Sequence, residues 1–473
     1  MNREIELKLD LPHDGAEAFL QWPSLPSDHD IADLHATYLD TPDRDLAQRG
    51  VSLRIRRSGD QYIQTVKADG DGATGLFSRN EWEVAVSGDT PVLDDNNPVA
   101  AMLGDAITTL VPLFKVDVER RTWSLREGDT DIELVLDRGT VTAGDRQALV
   151  CEIELELKSG DPAALFALAQ RIAADHPTRP GVMTKSERGH RLREPALRAV
   201  KAEAVTLDPA MTAGTAFARI AHACLRHYAL NEALLRDHYD PAAVHQARVA
   251  IRRLRSAFWL FKPILPVQDV DRFSDDLRWW AAILGEARDL DVLAKRIGDD
   301  PSLESARTSA HQKVTQWLAS ARVRLLTLDL IEWLTLHMGQ GKGADRPATE
   351  IASRRLRKLR RRIRKNGRDM ATLSDEARHA VRKDAKKLRY ASEFLAGLFD
   401  GGKQVARRAK FIKALSKMQE RLGDLNDLAT MPTLMARHGL KIDDASYATS
   451  REQLLLAAAK AHHGFADRRR FWA

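Results

Sequence analysis

The sequence predicts an α+β protein in which an antiparallel sheet with flanking helices precedes an all-helical half. In the first 200 residues apolar side chains alternate with charged ones, which is typical of half-buried antiparallel strands. The rest of the chain has helical periodicity and few strand-forming runs, as expected of antiparallel helix bundles. Residues 1–200 hold 23 Lys and Arg against 35 Asp and Glu, whereas residues 201–473 hold 50 against 32. Two domains with different electrostatic tasks are therefore predicted.

Composition excludes several classes of protein. The chain has 473 residues, of which 44% are hydrophobic and 30% charged, and this balance excludes a disordered or collagen-like protein. It has no run of about 18 apolar residues, and its N-terminus lacks the apolar core of a secretory signal. The two cysteines, Cys151 and Cys224, are far apart and lack metal-ligand spacing. We therefore expect a cytoplasmic protein without a membrane span.

The domain boundary is predicted near residues 195–214. Strand-like alternation ends before this segment, and Asp208-Pro209 precedes the helix-rich stretch. Proline and the residue before it resist continuing a helix, which suits a junction. We therefore predict a first domain at residues 1–200, a linker at 201–212 and a helical domain at 213–473.

The elements of the first domain follow from local pattern. The clearest alternations of apolar and charged residues lie at 4–9, 53–56, 81–84 and 152–158. Glycine-containing segments at 69–72 and 137–139 indicate turns. Residues 16–20 and 162–175 have the pattern of helices packed beside the sheet.

Two predicted strands concentrate charge on one face: Glu4, Glu6 and Lys8 on the first, and Glu152, Glu154 and Glu156 on a later one. Like charges repel, so enclosing these carboxylates together would be unfavourable unless cations offset their charge. Oxygen ligands alone suit a hard divalent ion such as Mg2+ or Mn2+.

Bases from other segments supply the opposite sign: Arg54, Arg56, Lys67, Arg120, Lys185 and Arg188. The planar fork of arginine matches phosphate oxygens. Carboxylates for metal and bases for phosphate are the components that phosphoryl transfer requires. The alternative is an open sheet whose solvent face carries cross-strand ion pairs, since alternating charge is common there.

A series of ordered motifs runs through the first half. Glu4-Ile5-Glu6-Leu7-Lys8 is followed by Tyr38-Leu39-Asp40-Thr41 and by segments at 49–56, 65–67, 133–139, 152–160 and 185–189. The first motif resembles the ExExK signature of the CYTH family, the triphosphate tunnel metalloenzymes, and the others follow in the family's order. The resemblance implies a tunnel of eight antiparallel strands whose lumen binds a triphosphate and a divalent metal, Mg2+ or Mn2+.

The resemblance also implies roles for individual residues. Those implied to hold metal are Glu4, Glu6, Glu154 and Glu156. Those implied to act in catalysis or to grip phosphates are Glu4, Glu6, Lys8, Arg54, Arg56, Lys67, Arg120, Lys185 and Arg188. Glu152 lies on the same strand face, and the Arg120-Arg121 doublet leaves open which side chain points inward. The resemblance does not assign the general base.

Members of the CYTH family include inorganic triphosphatases, thiamine triphosphatases and adenylyl cyclases. Relatives with a second, helical domain are most similar to inorganic triphosphatases, which implies conversion of inorganic triphosphate to pyrophosphate and phosphate. The alternatives are another activity of the family, or a non-catalytic protein that binds polyphosphate or nucleic acid.

The helical half contains an internal repeat. Residues 245–255, HQARVAIRRLR, match residues 379–389, HAVRKDAKKLR. Each copy is followed by a Leu-Gly pair and an aspartate, which are Leu284-Gly285 with Asp289 and Leu422-Gly423 with Asp427. A duplicated helical unit is predicted, with copies near residues 213–335 and 346–465.

Each copy places one histidine and several bases on one helix face. His245, Arg248, Arg252 and Arg255 fall within roughly 80° of the helix circumference. A polyanion along this stripe would offset the repulsion between its bases. A histidine with the usual pKa of about 6.5 would strengthen that binding at lower pH. The alternative is a solvated helix face.

The duplicated stripe resembles the CHAD family, the conserved-histidine α-helical domains, over roughly residues 210–465. This implies two related four-helix bundles that bind inorganic polyphosphate, and such binding would associate the protein with polyphosphate granules. The implied residues, including the two that flank the stripes, are His245, Arg248, Arg252, Arg253, Arg255, His379, Arg382, Lys386, Lys387 and Arg389.

A second basic segment, residues 354–368, holds ten bases in fifteen positions. Leu356, Leu359 and Ile363 form a thin apolar stripe along it, so polyanion contact and solvation both fit the remaining faces. Nucleic acid would also satisfy a basic surface, because its phosphates supply most non-specific binding. The two histidine-containing stripes lack interleaved aromatic residues apart from Tyr390, which argues against recognition of a single strand.

Overall fold

The computed structural model describes residues 3–68, 74–94, 97–196, 198–298, 300–338, 341–437 and 444–472. The chain forms two compact units. The first comprises Met1–Arg198 together with Gln316–Leu336, and the second comprises Ala199–Thr315 and His337–Ala473. A sheet with flanking helices followed by an all-helical region confirms the predicted α+β class.

The first unit is built on an antiparallel sheet. Its strands are β1 (Arg3–Asp10), β2 (Asp30–Asp40), β3 (Val51–Ser58), β4 (Gln61–Ala68), β5 (Leu76–Val86), β6 (Val111–Glu127), β7 (Thr130–Ala143), β8 (Arg146–Ser159) and β9 (Arg179–Pro180). The strand order is β5-β4-β3-β2-β6-β7-β8-β1-β9, and β5 also pairs with β1. The eight longer strands therefore form a ring, as the predicted tunnel requires, and β9 is a short addition beside β1.

Alternation along β1 and β8 places apolar residues outside the ring and charged residues inside it. Leu7 and Leu9 of β1 and Ile153 and Leu155 of β8 are fully buried. Helix α4 (Ala163–Asp175) packs on these two strands and covers that outer face. On this side of the sheet the hydrophobic core thus lies between sheet and helix, and the inward faces of β1 and β8 carry charged side chains.

Four further helices accompany the sheet: α1 (Ala16–Leu20), α2 (Asp45–Gln48), α3 (Pro98–Leu103) and α5 (Lys185–Leu192). Short 3-10 turns lie at His13–Gly15 and Gly104–Thr109. Helix α5 packs on β6, β7 and β8, and Leu192 meets an apolar cluster that includes Tyr38, Phe114 and Val118. This cluster and α5 cover one end of the sheet's interior.

One predicted turn is wrong. Residues 137–139 lie in the middle of β7, and the glycine has a packing reason. A Cβ atom on Gly139 would lie 2.0 Å from the carbonyl oxygen of Asp117 on β6, so only glycine permits the two strands to approach this closely. The other predicted turn, at 69–72, lies outside the described residues.

The segment Gln316–Leu336 belongs to the first unit although it follows the start of the helical repeat. Its helix α10 (Ala321–Leu336) packs on α4. Gln170 donates hydrogen bonds to Asp329 (3.1 Å) and Glu332 (2.7 Å), and the Arg324 Nε donates to the Ala173 carbonyl (3.0 Å). The sequence predicts this segment as part of the helical domain at residues 213–473, because helical periodicity does not indicate which hydrophobic core a helix packs against.

The second unit is all-helical. Its helices are α6 (Ala213–Asp237), α7 (Pro241–Phe261), α8 (Val267–Ile297), α9 (Pro301–Leu318, whose last residues join the first unit), α11 (Ala348–Asn366), α12 (Asp375–Phe394), α13 (Gly402–Arg437) and α14 (Asp444–Ala466). Short 3-10 turns lie at Lys262–Ile264 and Ala396–Leu398. No helix in the described residues is both long and apolar enough to cross a lipid bilayer.

The predicted duplication is visible in the helix order. Helices α6 to α9 form one set and α11 to α14 the other, and the two sets pack through α6, α7, α11 and α12. The entries to α6 and α11 also pair: the Ala213 amide donates to Arg346 (2.7 Å) and the Ala348 amide donates to Met211 (3.0 Å). Corresponding ends of the two copies therefore meet.

Candidate active site and phosphate-binding surfaces

A cavity of about 330 Å³ lies inside the ring of strands. Its lining includes seven basic and six acidic side chains, which are Lys8, Arg54, Arg56, Lys67, Arg120, Lys158, Lys185, Glu6, Glu81, Glu83, Glu133, Glu154 and Glu156. The bases and acids of separate strands thus converge in one enclosure, and the alternative of an open, solvent-facing sheet does not describe this face.

The centre of the site is a buried group of two lysines and three carboxylates. Lys8 Nζ lies 2.9 Å from Glu152 Oε1 and 2.8 Å from Glu154 Oε1. Lys185 Nζ lies 2.6 Å from Asp137 Oδ2 and 2.9 Å from Glu154 Oε1, and it also contacts Glu152. The resemblance implies that these lysines grip phosphates, and here both are engaged with carboxylates.

The groups of this centre are held in their charged forms. Burial alone would raise the pKa of Glu154, but Lys185, Lys8 and Arg120 together lower it well below its usual range. The pKa values of Asp137 and Glu152 are lowered in the same way against the effect of burial. The centre is therefore a compact, ionised scaffold.

Arg120 joins this centre and resolves the ambiguity of the arginine doublet. Its Nε and Nη2 donate to the two oxygens of Asp137 at 2.7 and 2.6 Å, and Nη2 also donates to Glu154 Oε2 at 2.9 Å. Arg121 bonds Glu119 on the other face of the strand. Arg188 lies behind the cavity, with Nη2 3.3 Å from Asp10 and 3.6 Å from Glu152.

A row of carboxylates crosses three neighbouring strands beside the centre. Glu6 of β1 is directly opposite Glu156 of β8, which is directly opposite Glu133 of β7. Opposed side chains on antiparallel strands have Cβ atoms about 5 Å apart. Lys158 Nζ lies 3.1 Å from Glu133 and 2.8 Å from Glu156. We call Glu6, Glu133 and Glu156 the acid row.

The acid row has the donor chemistry for a hard divalent cation. Asp137, Glu152 and Glu154 also have oxygens within 4.8 Å of one another. Those oxygens already bind Lys8, Lys185 and Arg120, so a cation there would have to compete with three side-chain charges. The acid row meets Lys158 and, at Glu6, Lys8 at 3.7 Å, and its carboxylate oxygens also suit Mg2+ or Mn2+. Glu4 lies in β1 on the face of Glu6, and its side chain lies outside the described atoms.

The opposite wall of the cavity is basic and consists of Arg54 and Arg56 on β3 and Lys67 on β4. We call these three residues the basic wall. The charge on Arg54, together with burial, lowers the pKa of Arg56 to about 10. Within the described residues the buried Nε of Arg54 has no hydrogen-bond acceptor. The nearest carboxylate to Arg56 is Glu83 at 3.9 Å, whereas Lys67 lies 3.1 Å from Glu81.

An acidic wall facing a basic wall can hold an anion and a cation together. Phosphate oxygens would meet the basic wall, and a cation would meet the acid row on the other side. Sequence reasoning missed several participants, which are Asp137, Glu133, Lys158 and Tyr38. All four residues fall inside motifs singled out above, so their motif positions were a usable signal. Asp40 of the same motif instead caps α2 by accepting from the Leu46 and Ala47 amides.

The helical unit repeats one arrangement at equivalent positions of its two copies. Arg248 on α7 lies 3.9 Å from Asp289 on α8, and Arg382 on α12 lies 4.0 Å from Asp427 on α13. The side chain of each arginine also lies against a glycine of the neighbouring helix. A Cβ atom added to Gly285 would lie 3.4 Å from the guanidinium of Arg248, and one added to Gly423 would lie 3.8 Å from that of Arg382. The Leu-Gly and aspartate signals in the sequence are therefore parts of a basic site.

The two copies contribute to one basic cluster. Arg248 and Arg252 of α7 and Arg382 and Lys386 of α12 influence one another electrostatically. Burial, followed by Arg382, Arg252 and Arg248, lowers the pKa of Lys386 to about 7. We call these four residues the central basic cluster.

The remaining residues of the stripes have individual partners. Glu393 binds both Arg253 (3.1 Å) and Arg389 (3.0 Å). Lys387 lies over the ring of Trp259, and Nδ1 of His379 lies 2.6 Å from the Asn426 Oδ1. Arg255 is half-buried, and burial and Arg278 lower its pKa.

One sequence-based expectation changes here, and the place of Tyr390 becomes clear. His245 does not titrate near 6.5, because burial and then Arg288, Arg252 and Arg248 lower its pKa to about 4. Tyr390 is buried and accepts a hydrogen bond from Arg252 Nε at 3.1 Å, so its ring is not available to stack on a nucleobase. The one aromatic residue of the stripes is therefore structural.

Comparisons with known proteins agree with this architecture. The model of the CYTH domain matches residues 2–189, and the model of the CHAD domain matches residues 219–436. An inorganic triphosphatase of Haemophilus influenzae is 31% identical over 203 residues, which are 41% of this chain and 55% of that protein. The chain thus spans about half the length of that relative.

Two further relatives cover more of the chain. An uncharacterized protein of Mycobacterium tuberculosis is 26% identical over 439 residues, which are 83% of this chain and 80% of that protein. The crystal structure of the CHAD domain from Ricinus communis has 27% identity and a TM-score of 0.46, and it covers 56% of this chain and 96% of that one. The chain carries a CYTH domain followed by a CHAD domain.

Proposed function

We propose that the protein hydrolyses inorganic triphosphate to pyrophosphate and phosphate in the cavity of its CYTH domain, with Mg2+ or Mn2+. The observation that carries this proposal is the basic wall. Among the described residues the buried Nε of Arg54 has no acceptor, and Arg56, whose pKa is lowered by Arg54 and by burial, lies 3.9 Å from Glu83, so a phosphate chain would find guanidinium donors there.

The residues of the basic wall would bind the terminal and bridging phosphates. Arg54 and Arg56 project from one strand at alternate positions, about 6.6 Å apart along it, so they can contact different phosphates of one chain. Their donors would absorb the charge that accumulates on the leaving pyrophosphate as its P–O bond breaks. Lys67, from the next strand, would add a third contact.

The acid row explains why such an activity would need a metal. A triphosphate in this cavity would face six carboxylates as well as seven bases. Glu6 and Glu156, with Glu4, would hold Mg2+ or Mn2+, and Glu154, which already binds Lys8, Lys185 and Arg120, would support them from the centre. When bound, the divalent cation would draw charge from the phosphate oxygens and favour attack by water.

The ionised centre would keep the reacting groups in place. Lys8 and Lys185 hold Glu154 between the acid row and Arg120. Because these contacts are buried and charge-assisted, they would fix the direction of the Glu154 carboxylate without a cost of reorganisation during the reaction. We therefore assign Lys8 and Lys185 as positioning residues.

We further propose that the CHAD domain binds inorganic polyphosphate at the central basic cluster. Among the described residues, the carboxylates paired with the cluster are Asp289 and Asp427, each nearly 4 Å from its arginine. Burial first, and then the charges of Arg382, Arg252 and Arg248, lower the pKa of Lys386, and a bound polyanion would oppose both effects. A linear phosphate chain crossing from α7 to α12 would contact both copies, and it would tether the enzyme to polyphosphate granules.

A phosphate-release panel tests the enzymatic proposal. Purified protein is assayed on inorganic triphosphate, long-chain polyphosphate, ATP and thiamine triphosphate, each with Mg2+, with Mn2+ and with EDTA. The proposal expects release of phosphate from inorganic triphosphate with metal only. Metal-independent release, or faster turnover of either organic triphosphate, would contradict it, and conversion of ATP to cyclic AMP would identify a cyclase.

Competition between polyanions tests the binding proposal. Long-chain polyphosphate and single-stranded RNA are titrated at the same ionic strength in EDTA, against wild type and an Arg248→Ala/Arg382→Ala variant. Tighter binding of polyphosphate that weakens in the variant is the expected result. Equal affinity for both polymers would indicate a generic cationic surface.

A further inference from the structure

Helix α11 carries a second basic surface that the central basic cluster does not use. Arg355 and Arg362 face the other helices: Arg355 lies over the ring of Trp259, and Arg362 contacts Asp384. The opposite sector of the helix, roughly 80–100° wide, holds four more arginines, which are Arg357, Arg360, Arg361 and Arg364. Arg368 follows just past the end of the helix and lines the same surface.

The C-terminal segment brings three further arginines against this sector. Residues Phe471 and Trp472 are buried, and both pack on the ring of Phe411. Arg360 Nη2 donates to the carbonyl oxygens of Ala466 (3.1 Å) and Arg468 (2.8 Å). Residues 468–470, all arginine, are therefore anchored at both ends beside α11 and are not a freely moving tail.

Two adjoining cavities of about 580 and 560 Å³ lie between α11 and this segment. They share Arg360, Arg364, Asp467 and Arg470. We call the combined space the C-terminal arginine groove. Its size is sufficient for several phosphate groups in a row, and its walls are guanidinium groups from two segments of the chain.

Among the described residues that line the groove, Asp467 is the one acidic side chain beside its many arginines. Among the described residues, no carboxylate oxygen lies within 4.0 Å of a guanidinium nitrogen of Arg364, Arg407, Arg469 or Arg470. The single acid in the lining, Asp467, lies 3.5 Å from His463. Burial, followed by Arg364 and Arg470, lowers the pKa of Arg360. The fold thus holds like charges close together, and their electrostatic repulsion is unfavourable. A bound anion would replace that repulsion with attraction.

The chemistry of the lining favours a phosphate chain without bases. Arginine forks match phosphate oxygens, whereas recognition of single-stranded nucleic acid depends on aromatic rings that stack on bases. The aromatic residues next to the groove, Phe471 and Trp472, are buried in the core of the unit. Among the described residues that line it, the groove therefore offers guanidinium groups and the exposed imidazole of His463, but no accessible Phe, Tyr or Trp ring.

We propose that the C-terminal arginine groove is a second binding site for linear polyphosphate, separate from the central basic cluster and independent of the triphosphatase activity. Arg364 and Arg470, from opposite walls, hold the chain between them. The two sites on one unit would increase avidity for a long chain that spans both.

The first test is arginine footprinting of the full chain. The protein is treated with phenylglyoxal in EDTA, with and without long-chain polyphosphate, and modification is read by peptide mass spectrometry. We expect protection of Arg364, Arg469 and Arg470, and we expect it to persist in the Arg248→Ala/Arg382→Ala variant. Unchanged modification of these arginines in that variant would overturn the proposal.

The second test measures affinity in the same Arg248→Ala/Arg382→Ala background. Adding Arg364→Glu and Arg470→Glu should weaken polyphosphate binding at least about tenfold, or about 1.4 kcal/mol. The matched control adds Arg354→Glu and Lys358→Glu, which reverse two exposed charges of the same helix outside the groove, and should have little effect. An equal loss in the control, or RNA binding as tight as polyphosphate binding, would overturn the proposal. Metal-dependent phosphate release, measured on the same proteins, should not change, so a failure here is separate from a failure of the enzymatic proposal.

Discussion

Lys8 of β1 and Glu154 of β8 are directly opposite each other in the antiparallel ladder, and their charged groups lie 2.8 Å apart inside the ring. The backbone register fixes this pair, because residues directly opposite each other in an antiparallel ladder point to the same face of the sheet. The pair connects the acid row to Arg120, since Glu154 also accepts from that arginine at 2.9 Å. The register of two strands thus positions a group of the candidate active site.

Removing the second lysine of this centre should destabilise the fold. Lys185→Met would leave Asp137 and Glu152 buried with less compensating charge, and breaking a buried pair typically costs about 3–5 kcal/mol. Lys158→Met is the matched control because its side chain is 43% exposed, so its loss should cost less than about 1 kcal/mol. Urea denaturation followed by tryptophan fluorescence measures both. Equal stability of the two variants would contradict a structural role for Lys185.

The same centre predicts acid sensitivity. The pKa values of Asp137, Glu152 and Glu154 are lowered in the folded protein, so their stabilising effect is complete above the unfolded values of about 4 and is lost as pH falls below them. The melting temperature should therefore decrease steeply between about pH 5 and pH 3. Calorimetry across this range provides the measurement. A Glu119→Gln variant, altered outside the ring, should follow the wild-type curve, and a flat curve for wild type would argue against ionised carboxylates in the centre.

Neighbouring arginines on β3 should differ in their effect on catalysis. Arg56 lines the cavity, whereas Arg57 is exposed on the other face of the same strand. Loss of charge-assisted hydrogen bonds worth about 1.5–3 kcal/mol predicts a decrease of roughly 10- to 100-fold in kcat/KM for Arg56→Ala. Arg57→Ala should retain wild-type kinetics. If the two variants behave alike in steady-state assays on inorganic triphosphate, the basic wall does not bind the substrate.

The acid row should determine the requirement for metal. Glu6→Gln and Glu156→Gln remove a negative oxygen each, and even residues that only support metal ligands typically change metal affinity about 10- to 100-fold. The Mg2+ concentration for half-maximal phosphate release should therefore increase at least about tenfold in both variants. Glu119→Gln again serves as the control. An unchanged Mg2+ dependence in both acid-row variants would place the metal elsewhere.

Polyphosphate binding to the central basic cluster should weaken as pH rises through neutrality. The pKa of Lys386 in the free protein is about 7, and a bound polyanion favours its charged form. Affinity is therefore full below pH 7 and falls by up to about tenfold per pH unit above it, until the pKa of the bound form is reached. Lys386→Arg should remove this dependence, and Lys383→Arg, on the exposed side of the same helix, should preserve it. Isothermal titration calorimetry at pH 6 and pH 8, about one unit below and above the pKa of Lys386, would measure the difference in affinity.

Much of the candidate site could be predicted from the sequence because strand alternation is local. Once Glu6 and Lys8 share one face of a strand, and Glu154 and Glu156 share one face of another, only the closure of the sheet is needed to bring them together. The periodicity of α7 and α12 likewise placed the basic residues of each stripe on one face. The order of the motifs predicted that the eight strands close into a ring. Alternation by itself did not distinguish such a ring from an open, flat sheet.

Other features depended on long-range contacts that have no local signal. That Lys185 holds three carboxylates, that Arg120 and not Arg121 points inward, and that α10 packs on α4 all follow from where distant segments meet. The turn predicted at Gly139 was wrong for the same reason. The glycine is required because the carbonyl oxygen of Asp117, on another strand, lies too close to leave room for a Cβ atom. The pKa of His245 also deviated, because burial lowers it first, followed by Arg288 from another helix and then by Arg252 and Arg248 from its own.

The sequence by itself determined the two-domain organisation, the inward-facing acids and bases, and the duplicated basic stripe, because each depends on residue spacing along one element. Only the tertiary structure decided which charges pair, which remain exposed to a ligand, and that the arginines of the C-terminal segment converge on α11. The physical reason is that electrostatic interactions depend on distance and burial in three dimensions, and neither is encoded in the spacing of a single strand or helix.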